Sequence, residues 1–179
     1  MSESPFAKLQ SIAERSRAIT IELPEKADEQ AHWMGLGFNL LDQRFVVPME
    51  EVSEMMRVPS TTRLPGVKSF VSGVGNVRGR LMAVLDLAAF FGESSSLPRA
   101  QRRVLAVEDE EQFFGFMIDE SHGIQHFPSD AYESIAPELP ERFRPFVRGS
   151  FKVAGVDWPV LSVFALLDHP ELEKFAVAS

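Results

Sequence analysis

From Trp33 onward the chain alternates apolar and polar positions in short runs, the pattern of half-buried β-strands. Trp33 to Leu41 alternates loosely, Asp42-Gln43 makes a turn, and Arg44 to Val47 returns until Pro48 stops it. Glu50 to Met56 fits a strand or one helical turn equally well, because Val52, Met55 and Met56 suit either period. Pro59, Pro65 and Gly66 mark loops. Phe70 to Val77 and Leu81 to Leu87 then form a hairpin. Its first strand carries Val71, Gly73, Gly75 and Val77 on one face, with Phe70, Ser72, Val74 and Asn76 on the other. Two glycines on one face imply close approach by another strand or a tight bend. Asp86 to Phe91 starts a short helix that Gly92 ends.

A second β-rich half follows. Arg103 to Val107 and Phe113 to Ile118 are strands around the acidic turn 108–111, and Ile124 to Phe127 continues the sheet. Residues 127–145 read as a long loop punctuated by prolines. Phe146 to Val153 and Val156 to Val163 make another hairpin across Ala154-Gly155. Phe164 to Phe175 reads as a closing helix interrupted at Pro170. Val77-Arg78-Gly79 recurs as Val147-Arg148-Gly149, which suggests two similar β units. Many short strands with few helices predict a mainly β protein of two small barrels.

Residues 1–31 differ. Phe6, Leu9, Ile12 and Ala13 recur at helical spacing, and residues 23–29 read as a polar linker. We divide the chain into this N-terminal extension, a domain over 32–170, and a tail over 171–179.

Composition narrows the function. Of the 179 residues, 45% are hydrophobic, enough to bury a core. The net charge of −8 disfavours nucleic-acid binding. With no cysteine, disulfides, thiolate catalysis and cysteine-ligated zinc are excluded. The N-terminus lacks a basic region followed by an apolar run, and no apolar stretch is long enough to span a bilayer. A cytoplasmic protein without membrane insertion is expected.

Catalysis finds little support. Asp119, Ser121, His122 and His126 are close in sequence, but Ser121 and His122 point to opposite faces of a strand. His122, His126, Glu108 and Asp109 lack a metal-ligand spacing. We expect no enzyme activity, no metal and no cofactor.

Gly73-Val74-Gly75-Asn76-Val77-Arg78-Gly79-Arg80, with Leu85-Asp86-Leu87 and Phe91-Gly92, resembles the signature of CheW-type chemotaxis coupling proteins. Phe45-Val46-Val47-Pro48, Val52-Ser53-Glu54-Met55, Phe114 to Asp119 and Phe146 to Gly149 resemble further family segments in the same order. Val77 stands where Leu is usual, and Ala83 where Pro is common. The resemblance implies two linked SH3-like five-stranded β-barrels with short helices around a shared core. It implies a non-catalytic adaptor, recruited to membrane receptor arrays. Its partners would be the regulatory domain of a CheA-like histidine kinase and the cytoplasmic tip of a methyl-accepting chemoreceptor. A type IV pilus twitching system is the favoured pathway over flagellar chemotaxis. The alternative is an array-building scaffold that contacts kinase but not receptor.

The expected partner-binding residues are Val52, Glu54, Met55, Asn76, Arg78, Gly79 and Arg80. Arg78 supplies a planar, permanently charged fork, and Glu54 is its proposed partner. The competing reading makes Arg78 a hairpin cap and Glu54 a solvated side chain. Val52, Met55 and Met56 could equally be core. Asn76 closes the turn through its side chain, and Gly79 supplies a positive φ.

Overall fold

A computed structural model describes residues 32–109, 111–134 and 138–172. The predicted N-terminal helix and linker, and most of the predicted tail, lie outside the described residues.

Eleven strands form two antiparallel-rich sheets among the described residues. In chain order they are β1 (His32–Leu40), β2 (Gln43–Pro48), β3 (Glu54–Arg57), β4 (Val71–Val77), β5 (Arg80–Asp86), β6 (Arg103–Asp109), β7 (Gln112–Ile118), β8 (Ser121–Pro128), β9 (Tyr132–Glu133), β10 (Val147–Val153) and β11 (Val156–Leu161). One sheet has the order β8-β1-β2-β11-β10-β9, the other β3-β6-β7-β5-β4. Each curls into a small SH3-like barrel. The first has six strands rather than the expected five, because Tyr132 and Glu133 pair with Phe151 and Ser150 inside the predicted loop.

The barrels are not successive halves of the chain. The five-stranded barrel is one continuous insert, β3 to β7. The six-stranded barrel is built from β1 and β2 before it and β8 to β11 after it. Both readings of 50–56 hold in part: a 3-10 turn at Met49–Glu51 precedes β3.

Strand periodicity sorts the side chains into three cores. In the five-stranded barrel Met82, Val84, Val104, Ala106, Phe113 and Met117 point inward. Their neighbours Leu85, Leu105, Val107, Phe114, Phe116 and Ile118 point the other way, into a core shared with Phe38, Leu40, Phe45 and Val47 of the other barrel. Burial on both faces explains why β5 and β7 read as nearly continuous apolar runs. Val46, Phe127, Phe151 and Val160 fill the six-stranded barrel.

The two glycines of β4 do meet a close neighbour. Thr62 forms an isolated bridge with Val74, closing the five-stranded barrel by two hydrogen bonds of 2.9 Å. A Cβ at Gly73 (φ 144°) would sit 2.5 Å from the Thr62 carbonyl oxygen, and one at Gly75 would sit 2.8 Å from that of Ser60. Arg99 ties the same segment down, donating to Ser72 Oγ (2.8 Å), the Pro59 carbonyl (3.1 Å) and Thr61 Oγ1 (2.9 Å).

Short helices join the barrels. Helix α1 (Leu87–Phe90) is capped by Asp86, whose carboxylate accepts from Ala88 N (3.0 Å) and Ala89 N (3.4 Å). Arg102, only 4% exposed, donates a fork to the same carboxylate at 3.0 and 2.8 Å. Its Nε donates to the Ile118 carbonyl (3.1 Å) and lies 3.4 Å from Asp119. Asp119 in turn accepts from Leu41 N at 2.9 Å and from Ser95. Helix α2 (Val163–Leu167) is shorter than the predicted closing helix. The chain turns at Asp168, and Pro170 opens a fresh helical turn, where its missing N–H costs nothing.

Candidate functional site

The β4–β5 hairpin ends in a two-residue turn, Arg78-Gly79, between the paired residues Val77 and Arg80. Both turn residues have positive φ, 53° and 82°, as a type I′ turn requires. Asn76 Oδ1 accepts from Gly79 N at 2.9 Å, so the side chain closes the turn. A Cβ at Gly79 would meet nothing within 4 Å; backbone conformation alone asks for glycine there.

Arg78 is held but displayed. Its guanidinium donates to the Glu54 carboxylate, while the Arg78 side chain remains 70% exposed. That hydrogen bond, and then the charge of Glu54, hold the guanidinium above its ordinary pKa. Glu54 opens β3, the strand at the opposite edge of the sheet from β4. The ion pair therefore spans the two edges of the barrel. Arg80 is held separately, 2.7 Å from Glu108 and with its guanidinium 4.6 Å from the centre of the Phe113 ring.

The structure divides the predicted partner-binding residues. Glu54, Asn76, Arg78, Gly79 and Arg80 cluster around the hairpin tip. Met55 is half-buried against the shared core, and Val52 is 8% exposed within that core. Sequence reasoning passed over Leu81, which is 70% exposed and pairs across the hairpin with Asn76. It sits in an apolar run that otherwise reads as core.

Other candidates do not assemble. Asp119 is buried and committed to Arg102, Leu41 N and Ser95. His122 Nε2 lies 2.9 Å from Asn39 Oδ1, and Ser121 Oγ accepts from Gly123 N. No group of metal-ligating side chains gathers among the described residues.

The triplet echo also separates in space. Arg78 is a turn residue, whereas Arg148 lies within β10, beside a register shift between Val147 and Gly149. Its guanidinium sits 3.1 Å from Glu51. Glu51, 4% exposed, also accepts from Val163 N at 2.9 Å, the first residue of α2. Burial pushes the Glu51 carboxyl up, more than this hydrogen bond and Arg148 pull it down. A raised carboxyl binds its proton more readily folded than unfolded, so its stabilisation is present at low pH and is lost as pH rises through the raised value. Glu51→Gln is expected to gain melting temperature relative to the parent as pH rises above the ordinary carboxylate range. The opposite slope would show that Arg148 and the Val163 N–H outweigh burial.

The CheW-like domain family model matches residues 34–171. The chain belongs to the CheW-like domain family. Protein PilI of Pseudomonas aeruginosa is 42% identical over 175 residues, covering 98% of both chains. The chemotaxis protein CheW of Helicobacter pylori is 26% identical over 112 residues, covering 63% of this chain and 67% of that one. Protein FrzA of Myxococcus xanthus is 31% identical over 91 residues, 51% of this chain and 57% of its own. The crystal structure of scaffolding protein TtCheW from Thermoanaerobacter tengcongensis superposes with a TM-score of 0.68 at 22% identity, covering 79% of this chain and 96% of that chain. The matched span of this CheW-like domain includes the hairpin whose turn displays Arg78. Among the described residues, no helix is long and apolar enough to cross a membrane.

Proposed function

We propose that this CheW-like protein is a non-catalytic adaptor that couples methyl-accepting chemoreceptors to a CheA-like histidine kinase in a pathway controlling motility. The end-to-end similarity to PilI carries this reading and favours a type IV pilus twitching system. The geometry supports it at the residue level. A preformed turn presents a fixed guanidinium on an exposed surface, with Glu54, Asn76, Gly79 and Arg80 around it and Leu81 as an apolar contact. Such a surface orients a partner without performing chemistry on it. The receptor tip and the kinase regulatory domain are the two partners, and the protein reaches the membrane only through the receptor array.

Size-exclusion chromatography tests this with the kinase regulatory domain and, separately, a receptor-tip fragment. The protein is expected to co-elute with each. Co-elution with kinase alone would identify the array-building scaffold instead. Elution apart from both would overturn the adaptor reading.

A further inference from the structure

One face of the six-stranded barrel is apolar and open at the point where the chain enters it. We propose that residues 6–13, outside the described residues, fold back onto this face. Their stripe of Phe6, Leu9, Ile12 and Ala13 would pack over Met34 of β1 and Ile124 of β8.

The face is an unfinished edge of the core. Alternation puts Met34, Leu36, Phe38 and Leu40 on one side of β1, while Trp33 turns into the barrel on the other. Leu36, Phe38 and Leu40 belong to the core shared by the two barrels. Exposure along this row falls from 49% at Met34 to 7% at Leu36 and to zero at Phe38 and Leu40. On β8, the edge strand of the sheet, Ile124 stands directly across from Leu36 and is 54% exposed. Met34 lies across from His126, so Met34 and Ile124 are diagonal neighbours on one face. A single exposed apolar side chain is ordinary. Two neighbours that continue a buried row leave part of a core face without a cover.

The occupant is already attached. His32 opens β1 two residues before Met34, so the N-terminal extension starts from this face. Eighteen residues, 14–31, join the stripe to His32. As a random coil, a tether of that length would span about 23 Å. Such a tether holds the stripe near the face at about millimolar concentration, so a contact too weak to join two molecules is populated within one. The stripe also has the right form. Its residues recur at intervals of three and four, so a helix gathers them on one side. An apolar helix side laid on an apolar sheet face is a standard way to close a layer.

The relatives point the same way. The family match begins at residue 34, yet the similarity to PilI covers 98% of both chains and therefore takes in most of the extension. The extension accompanies the barrels in that relative, as a segment packed on them should.

Disulfide trapping tests this in the full chain. The sequence has no cysteine, so two can be introduced without interference. Ile12→Cys with Ile124→Cys is expected to oxidise within one molecule about threefold or more faster than Ile12→Cys with Leu81→Cys. Leu81 is the control because it is 70% exposed and lies on the other barrel. Equal rates for the two pairs, or a disulfide formed between molecules, would overturn the proposal; the second result would make a second copy the occupant. Melting gives a measurement without cysteines. Ile124→Thr keeps the β-branched shape that suits a strand. It is expected to lower the melting temperature by about 3 °C or more in the parent, and by much less in a Leu9→Asp background, because changes at one contact are not additive. An unchanged melting temperature in the parent, or the same loss in both backgrounds, would show that the extension does not cover Ile124.

Discussion

Replacing Arg102 with alanine is expected to destabilise the fold by about 3–5 kcal/mol, the cost of leaving a buried charge without its partner. The guanidinium is 4% exposed and serves several groups at once. It gives a two-pronged hydrogen bond to Asp86, donates to the Ile118 carbonyl, and lies 3.4 Å from Asp119. Asp86 also caps α1, and Asp119 also accepts from Leu41 N at the end of β1. One side chain therefore ties β5, β7, α1 and the neighbouring barrel together. Arg102→Lys should recover only part of the loss, because an ammonium cannot reproduce the planar fork. Urea denaturation measures both variants. A loss below about 1 kcal/mol for the alanine variant would show that water replaces the guanidinium without penalty.

Arg78→Ala is expected to weaken binding to the partner that uses the hairpin by about tenfold or more, as for an arginine hot spot. The melting temperature should move by no more than about 2 °C, because surface substitutions of this kind are nearly neutral. The side chain is 70% exposed, and its Glu54 partner lies on the same surface. Alanine inherits the positive φ of 53°. Arg78→Asn is therefore the cleaner variant, because asparagine tolerates that conformation while lacking the charge. Isothermal titration against the two partner fragments reads the affinity, and scanning calorimetry reads the fold. A large melting shift with intact affinity would make Arg78 a strut of the barrel instead of a contact.

Local chemistry was readable from the chain wherever a feature depended on neighbours in sequence. The Asn76 side-chain bond, the positive φ of Gly79, the Asp86 cap region and the crowding over Gly73 and Gly75 all follow from residue type and alternation. Features that depend on distant segments were not readable. Arg99, Arg102 and Arg103 look alike in a short basic run, yet only Arg102 is buried; its acceptors come from β5 and from the end of β7. Val52 could be assigned to core only after the 3-10 turn before β3 set its direction. The repeated Val-Arg-Gly triplet does fall once in each barrel, but its glycines serve different ends. Gly79 is needed for its backbone angle, with empty space around it, whereas a side chain at Gly149 would collide with Tyr132 and the Glu133 carbonyl. A triplet carries neither φ nor its neighbours.

The nesting of one barrel inside the other has a kinetic side. Val46 and Val160 must pair across the six-stranded sheet, a contact between segments far apart in the chain. Closing so long a loop in an unfolded chain is slow. The inserted barrel shortens it. Arg103 pairs with both Arg57 and Ile118, which brings the first strand of the insert to about 10 Å from its last residue, two strand spacings, once β3, β6 and β7 have joined. Asp119 and Glu120, just beyond the insert, bond directly back to Asn39 of β1. All five strands of the insert are also synthesised before β8 to β11. Order of synthesis and order of loop closure therefore agree.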